Sequence, residues 1–377
     1  MAKTLMAVDA GTGSVRAVLF SLEGEQLGCV QQEWTHREDP RYPGSMDFDW
    51  VHNWDLARGC IRGVIEQTGV DPHDIAAVST TCMREGIVLY DKDGQEIWAC
   101  ANVDARSDDE VAQLVHMNPE LEKQIYRESG QTYALGALPR LFWVKNKMPE
   151  VYEKTAMCTM FNDWLIYKMT GVFSSEPSNA CTTGIFDLKA RDWDDQIAAS
   201  IGLKTGIFPK ISECGTVVAQ VGAKGAAETG LAEGTPVVAG GGDAQLGCVG
   251  VGVVDANQAA IFGGSFWQYE YNTDEAKTDE HCRVRVNCHS VPGIWQYEAL
   301  AFKPGMVMRW YRDAFCQYEK ELSKTTGRDP YDLMNEKAKD IPAGCYGMMC
   351  AFSDVMNYIS WRHASPMFIN FDFDPDK

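Results

Sequence analysis

The stretch Asp9-Ala10-Gly11-Thr12-Gly13-Ser14-Val15-Arg16 decides how this chain is read. Before it, Leu5-Met6-Ala7-Val8 is a short apolar run. After it, Val15 to Phe20 is a second, and Glu23-Gly24 turns it into a third around Leu27 to Val30. Short apolar runs parted by glycine-containing turns predict a β-meander. The first turn also carries chemistry. Its two glycines let the backbone approach an anion, where successive N–H groups form a nest. Thr12 and Ser14 add hydroxyl donors. Asp9, at a strand end, can hold Mg²⁺, usually through water, because that ion keeps much of its hydration shell. A strand rather than a helix follows the glycines, and the GxxxxGK[ST] order is absent, so this is neither a dinucleotide-binding turn nor a P-loop. A tight hairpin that merely needs glycine explains the same residues equally well.

The design recurs about 250 residues downstream. Ala259 to Phe262, Gly263-Gly264-Ser265 and Phe266 to Tyr271 again read as strand, glycine-rich turn and strand. The repetition favours phosphate binding over a bare turn. It also predicts two related domains facing a cleft, divided as 1–252 and 253–377.

Between the hairpins, Trp54, Ala57, Ile61, Val64 and Ile65 fall on one face of a helix over 54–68, which Gly69 stops. Ile75 to Ser79 is a strand, with Met83-Arg84-Glu85-Gly86 just past it. Ile87 to Tyr90, the Asp93-Gly94 turn and Glu96 to Trp98 make a hairpin. Residues 108–128 and 139–170 are expected to be mostly helical, and Pro177 to Thr183 a polar loop. Thr235 to Ala239 is a buried strand that runs into Gly240-Gly241-Gly242-Asp243 and a helix of small residues. Strands around 283–302 and a helix near 305–322 follow.

Asp243 is a candidate general base, placed to take a proton from a hydroxyl that attacks a phosphate. Taken alone it reads first as an N-cap, for which Asp is a favoured type, and one residue can do both. Arg84 and Glu85 can grip vicinal hydroxyls, or form a surface ion pair. Asp104 and Arg106 invite the same two readings. His281-Cys282 and Cys288-His289 bracket an alternating run. Their spacing matches no zinc signature, and strand residues are the preferred reading.

Composition bounds the partners. The chain has 377 residues, 45% of them hydrophobic and 23% charged, an ordinary globular balance suited to two domains. A net charge of -19 opposes nucleic-acid binding. Thirteen cysteines without a CxxC pair point to reduced thiols in the cytosol. The start Met1-Ala2-Lys3 runs straight into a strand pattern, so no signal peptide is expected. No apolar run is long enough to predict a membrane span.

Several of these motifs together resemble the FGGY carbohydrate kinases, which belong to the actin-like ATPase superfamily with its ribonuclease H-like fold. The carriers are Asp9 to Ser14, Asp104-x-Arg106, Asp163-Trp164 with Thr170-Gly171, Ser178-Asn179-Ala180 and Gly240-Gly241-Gly242-Asp243. They span nearly the whole chain in the family's order. Ser45 to Asp49, Met83 to Tyr90, Trp98 to Arg106, Gly263 to Trp267 and Arg309 to Cys316 match one branch closely. That likeness implies phosphorylation of 4,5-dihydroxy-2,3-pentanedione, a quorum-sensing signal, on its terminal hydroxyl. Another polyol or ketose, such as xylulose or glycerol, is the alternative acceptor, and a non-catalytic ligand-binding protein the alternative class.

The resemblance implies an α/β fold with a complete N-terminal actin-like domain and an incomplete second one, and ATP with Mg²⁺ as cofactors. It implies Asp243 as base, Asp9 with Asp243 at the metal, and Gly11, Thr12, Gly13, Ser14 and Arg16 in the first phosphate loop. Gly263, Gly264 and Ser265 match the second loop. Arg84, Glu85, Asp243 and Trp267 match acceptor-binding positions. Three departures stand out. Ala244 replaces a frequent Gln, Gly264 a frequent Thr, and the family runs on well past Lys377, so its adenine pocket is expected to be missing here. An exposed edge in the incomplete domain makes a homodimer an expectation.

Overall fold

The computed structural model of the chain describes residues 3–134, 136–263, 267–301, 304–351 and 367–374. In chain order the strands are β1 (Thr4–Ala10), β2 (Ser14–Ser21), β3 (Gln26–Glu33), β4 (Ile75–Cys82), β5 (Ile87–Tyr90), β6 (Glu96–Cys100), β7 (Met157–Met160), β8 (Phe186–Asp187), β9 (Asp192–Trp193), β10 (Val217–Gln220), β11 (Pro236–Gly242), β12 (Ala259–Gly263), β13 (Trp267–Thr273), β14 (Arg285–Cys288), β15 (Trp295–Ala301), β16 (Met349–Ala351) and β17 (Met367–Ile369). Contacts divide the chain into two units. The first comprises Met1–Gln258 and Tyr271–Tyr297, the second Ala259–Glu270 and Glu298–Lys377.

A six-stranded sheet of order β10-β11-β4-β1-β2-β3 organises the first unit. The expected meander is its antiparallel half, β1 with β2 and β2 with β3. β1 and β11 both pair parallel with β4. Parallel neighbours need a crossover connection, and the helix Trp50–Thr68 stands between β3 and β4 in the chain. Asp49 caps this helix by accepting the His52 N–H at 3.0 Å, and Gly69 ends it at φ 64°. Its Trp54, Ala57, Ile61 and Val64 share a core with Met6 and Val8 of β1 and Val15, Ala17 and Leu19 of β2. Each large apolar side chain buried there contributes roughly 1.5–3 kcal/mol.

A second core gathers around the three-stranded sheet β6-β5-β7. β7 lies inside the region expected to be helical. Its Met-Cys-Thr-Met run is continuous with apolar helical sequence, and periodicity cannot separate a short buried strand from a helix. Pro177 to Thr183, expected as a loop, is a helix over Pro177–Ala180 and a 3₁₀ turn over Cys181–Thr183, fully buried. Its hydroxyl and amide side chains gave a surface signature to a segment whose hydroxyls and Asn179 amide N–H groups bond inside the protein.

The recurrent hairpin shows β12 and β13, in a sheet of order β12-β13-β15-β14. Its turn residues Gly264 and Ser265 lie outside the described residues. The helix expected near 305–322 is two, Pro304–Phe315 and Gln317–Thr326, broken at Cys316. Among the described residues no helix is long and apolar enough to cross a membrane.

Candidate active site

Three adjacent parallel strands bring the candidate residues to one end of the sheet. Asp9 of β1 lies opposite Thr81 of β4, and Gly242 of β11 lies opposite Cys82. Arg84 and Glu85 follow β4 directly, and Asp243 follows β11. Gly240, Gly241 and Gly242 belong to β11 itself rather than to a turn. A Cβ on Gly240 would stand 1.5 Å from the Thr80 carbonyl oxygen, so only glycine lets the strands run this close.

Gly242, not Asp243, occupies the N-cap position of the helix Asp243–Gly250 (φ -63°, ψ 145°). Asp243 is the first helical residue, and its Oδ1 accepts the Ala244 N–H at 2.8 Å. The Arg84 Nε lies 3.6 Å from the same oxygen. The Asp243 side chain is 46% exposed, so its carboxylate is reachable although its surroundings are densely packed. Desolvation pushes its pKa up to about 6; Arg84 opposes the rise, while the charges of Glu85 and Asp9 assist it. A carboxylate tuned this way is ionised at neutral pH yet basic enough to accept a proton in a transition state.

Glu85 sits at φ 68°, and the Gly86 N–H donates to the Arg84 carbonyl at 2.9 Å, closing a γ-turn. A left-handed residue with a Cβ costs roughly 1–2 kcal/mol, and such strain gathers at functional sites. Arg140 holds the turn from the helix Ala137–Lys147. It donates to the Glu85 carbonyl, to the Asn102 carbonyl at 2.6 Å and to the Asp104 carbonyl at 2.9 Å. The Glu85 carboxylate accepts from Arg285 at 2.7 Å, and the Arg285 Nε donates to Gln131 at 2.6 Å. Arg84 and Glu85 are both buried and turn to different partners, so the surface ion-pair reading fails. Sequence reasoning missed Arg140, Gln131 and Arg285. The alternation Arg283-Val284-Arg285-Val286 puts both arginines on its polar phase, which reads as solvent-facing, so it gave no signal for the burial of Arg285.

The first turn is tied back to the scaffold through its carbonyls. The Trp34 Nε1 donates to the Gly11 carbonyl at 2.9 Å, and the Trp34 N–H to that of Gly13 at 3.1 Å. His36 lies 2.7 Å from the Thr12 carbonyl, and the Asn102 amide donates to the Thr12 hydroxyl at 3.0 Å. Arg16 pairs with Asp9 at 2.7 Å. Burial raises the Asp9 pKa, with Arg16 opposing.

Asp104 and Arg106 form a buried pair, and Arg106 also reaches Asp47 and lies over Trp98 and Trp143. Asp104 further accepts the Met46 N–H at 2.6 Å, so this pair fastens one loop to another. His289 lies 3.1 Å from the Val253 carbonyl, and the Cys288 N–H donates to the Cys181 sulfur. In the second unit, Trp267 is 45% exposed, and its Nε1 would lie 3.0 Å from a Cβ on Gly263.

Residues 4–250 match the family model described as the FGGY family of carbohydrate kinases, N-terminal domain. The chain belongs to this family. An autoinducer-2 kinase of Klebsiella pneumoniae is 48% identical over 374 residues, covering 99% of this chain and 70% of that protein. One from Photorhabdus laumondii is 48% identical over 376 residues, covering 100% of this chain and 71% of that protein. Among solved structures, xylulose kinase from Rhodospirillum rubrum superposes with a TM-score of 0.83 at 22% identity, over 99% of this chain and 74% of that one. Plasmodium falciparum glycerol kinase with ADP gives 0.81 at 17%, over 99% and 74%. The FGGY chain therefore has the actin-like ATPase fold. Enzymes of the family are phosphotransferases that use ATP and a small-molecule acceptor.

Proposed function

We propose that this FGGY kinase transfers the γ-phosphoryl group of ATP to the terminal hydroxyl of 4,5-dihydroxy-2,3-pentanedione. The reading rests on one observation above the rest. A solvent-reachable carboxylate with a pKa near 6, Asp243, stands 3.6 Å from a buried arginine at the ends of adjacent parallel strands. The kinship with autoinducer-2 kinases at 48% identity supports this acceptor.

Arg84 and Glu85 bind the acceptor hydroxyls. Asp243 takes the proton of the attacking hydroxyl as the phosphoryl group is passed on. Gly11, Thr12, Gly13, Ser14 and Arg16 hold phosphate. Roles for Gly263, Gly264 and Ser265 in phosphate binding and for Trp267 in acceptor binding rest on the family likeness alone. Asp9 and Asp243 offer hard oxygen donors close enough for their charges to interact, a set that fits Mg²⁺ held through water. The ion, when bound, would neutralise phosphate charge. In this reading residues 1–252 carry acceptor and phosphate binding, and 253–377 carry the second phosphate loop. The thirteen unbridged cysteines support a cytosolic setting.

The test is ATP consumption with the dione, xylulose and glycerol offered side by side, for this chain and for Asp243→Asn. Turnover preferring the dione and lost in Asp243→Asn is expected, with acceptor binding retained. A preference for xylulose or glycerol overturns the acceptor, and near-normal turnover in the mutant removes Asp243 as base.

A further inference from the structure

The buried helix Pro177–Ala180 holds the ends of β11 and β4, the two strands that lead into Asp243 and Arg84. The Ser178 Oγ accepts the Gly242 N–H at 3.0 Å, one residue before Asp243. The Asn179 amide donates to the Cys82 sulfur at 3.0 Å, two residues before Arg84, and to the Asn162 carbonyl oxygen of its side chain at 2.8 Å. These neighbouring side chains thus fasten β11 and β4 just before the Asp243 and Arg84 pair. The fit is close. A Cβ on Gly241 would stand 2.7 Å from the Ser178 Oγ, and one on Gly242 would stand 2.9 Å from the Arg84 Cδ.

Ser178 and Asn179 are themselves held by one carboxylate. Glu176 accepts the Ser178 N–H on Oε2 and the Asn179 N–H on Oε1, both at 2.7 Å. It is 1% exposed. Bonds from backbone N–H groups to a buried carboxylate are stronger and more directional than bonds between neutral groups. A buried charge is costly and is not retained for stability alone when an apolar residue could fill the space.

We propose that Glu176 is a positioning residue for phosphoryl transfer: through Ser178 and Asn179 it sets the distance between Arg84 and Asp243. The proposal builds on the kinase reading above but makes a claim that does not need turnover to be tested. The clamp is a matter of geometry, because each of the two Glu176 oxygens accepts one backbone N–H. Asp163, from the helix Phe161–Thr170, is the second buried carboxyl. Burial and the Glu176 charge hold its pKa well above the usual range, with the Ser175 hydroxyl and the Met160 N–H opposing. Burial brings Glu176 itself to about 7, while the two N–H groups and Arg191 pull it down. Cys82, Cys214 and Cys288, the other titratable groups that sense Glu176, have thiol pKa values raised by burial and stay neutral.

The experiment reads the Arg84 Nε–H resonance by ¹H–¹⁵N NMR at one fixed pH, in the full chain and with the signal assigned through Arg84→Lys. Glu176→Gln and Ser178→Ala are compared with the parent and with Thr229→Val, a buried change in another helix. In either clamp variant the resonance is expected to move, because the Arg84 Nε changes its distance from the Asp243 carboxylate. Thr229→Val is expected to lower stability without moving it. Folded Glu176→Gln and Ser178→Ala proteins whose Arg84 resonance matches the parent overturn the proposal, and Ser178→Ala keeps the test open should Glu176→Gln fail to fold. Where the parent turns over, Glu176→Gln should lower kcat by about 10- to 100-fold with little change in acceptor KM. An unchanged kcat overturns the proposal too. A parent without turnover refutes the kinase reading and leaves the resonance to decide the clamp.

Discussion

Asp243 combines a reachable carboxylate with a raised pKa, and that combination predicts a pH profile. As the proposed base, Asp243 works only when ionised, so the chemical step should quicken as pH rises through about 6 and level off above it. A rate measured across pH 5 to 8 that falls over this span would contradict the assignment. Arg285 makes a separate claim. Its guanidinium is the buried partner of Glu85. Replacing it by Met leaves a carboxylate buried beside no counter-charge of its own, at a cost of about 3–5 kcal/mol. Urea unfolding should show this loss, and should show much of it recovered in the Arg285→Met, Glu85→Met double variant. That variant should nonetheless bind no acceptor.

Element-scale behaviour turns on how closely strands and helices approach. β11 can pair with β4 only because Gly240 has no side chain, since any Cβ meets the Thr80 carbonyl. Gly240→Ala should therefore destabilise the chain by about 3 kcal/mol, read as a lowered denaturation midpoint. The helix Trp50–Thr68 offers a milder test. Its Asp49 cap satisfies the His52 N–H, and Asp49→Ala should cost about 1 kcal/mol with the site unaffected. A loss above about 3 kcal/mol would mean the cap carries more than one bond's worth of order. The three strands were legible as elements, because each is a short apolar run; glycine follows the runs of β1 and β11, whereas a serine and two threonines follow that of β4. β7 and the buried helix Pro177–Ala180 were not. Their composition matches that of a helix and of a loop respectively, and only their neighbours decide otherwise.

At the scale of the whole molecule, the raised carboxyls shape stability against pH. Glu176 titrates near 7 in the folded chain against an ordinary value of 4.5, so the folded state holds a proton that the unfolded state has already released. Stability from this group is full below about 4.5 and is lost as pH rises through about 7. His289, lowered to about 4 by burial, works in the opposite sense, but its contribution is complete above its unfolded value of 6.5. Between pH 6.5 and 8 the melting temperature should therefore fall, and Glu176→Gln should flatten the fall; a parent that gains stability over that range refutes the assignment. The meander, its glycine turn, the strand-then-carboxylate pattern at Asp243 and the family were legible in the residues alone. These depend on steric limits and hydrogen bonds among residues a few places apart. Folding was needed to bring Arg285 to Glu85 from 200 residues away, Arg140 to a strained turn, and the Glu176 carboxyl to the N–H groups of Ser178 and Asn179 inside the core. A buried charge has no local signature, because what makes it tolerable is a partner that the chain brings near only by folding.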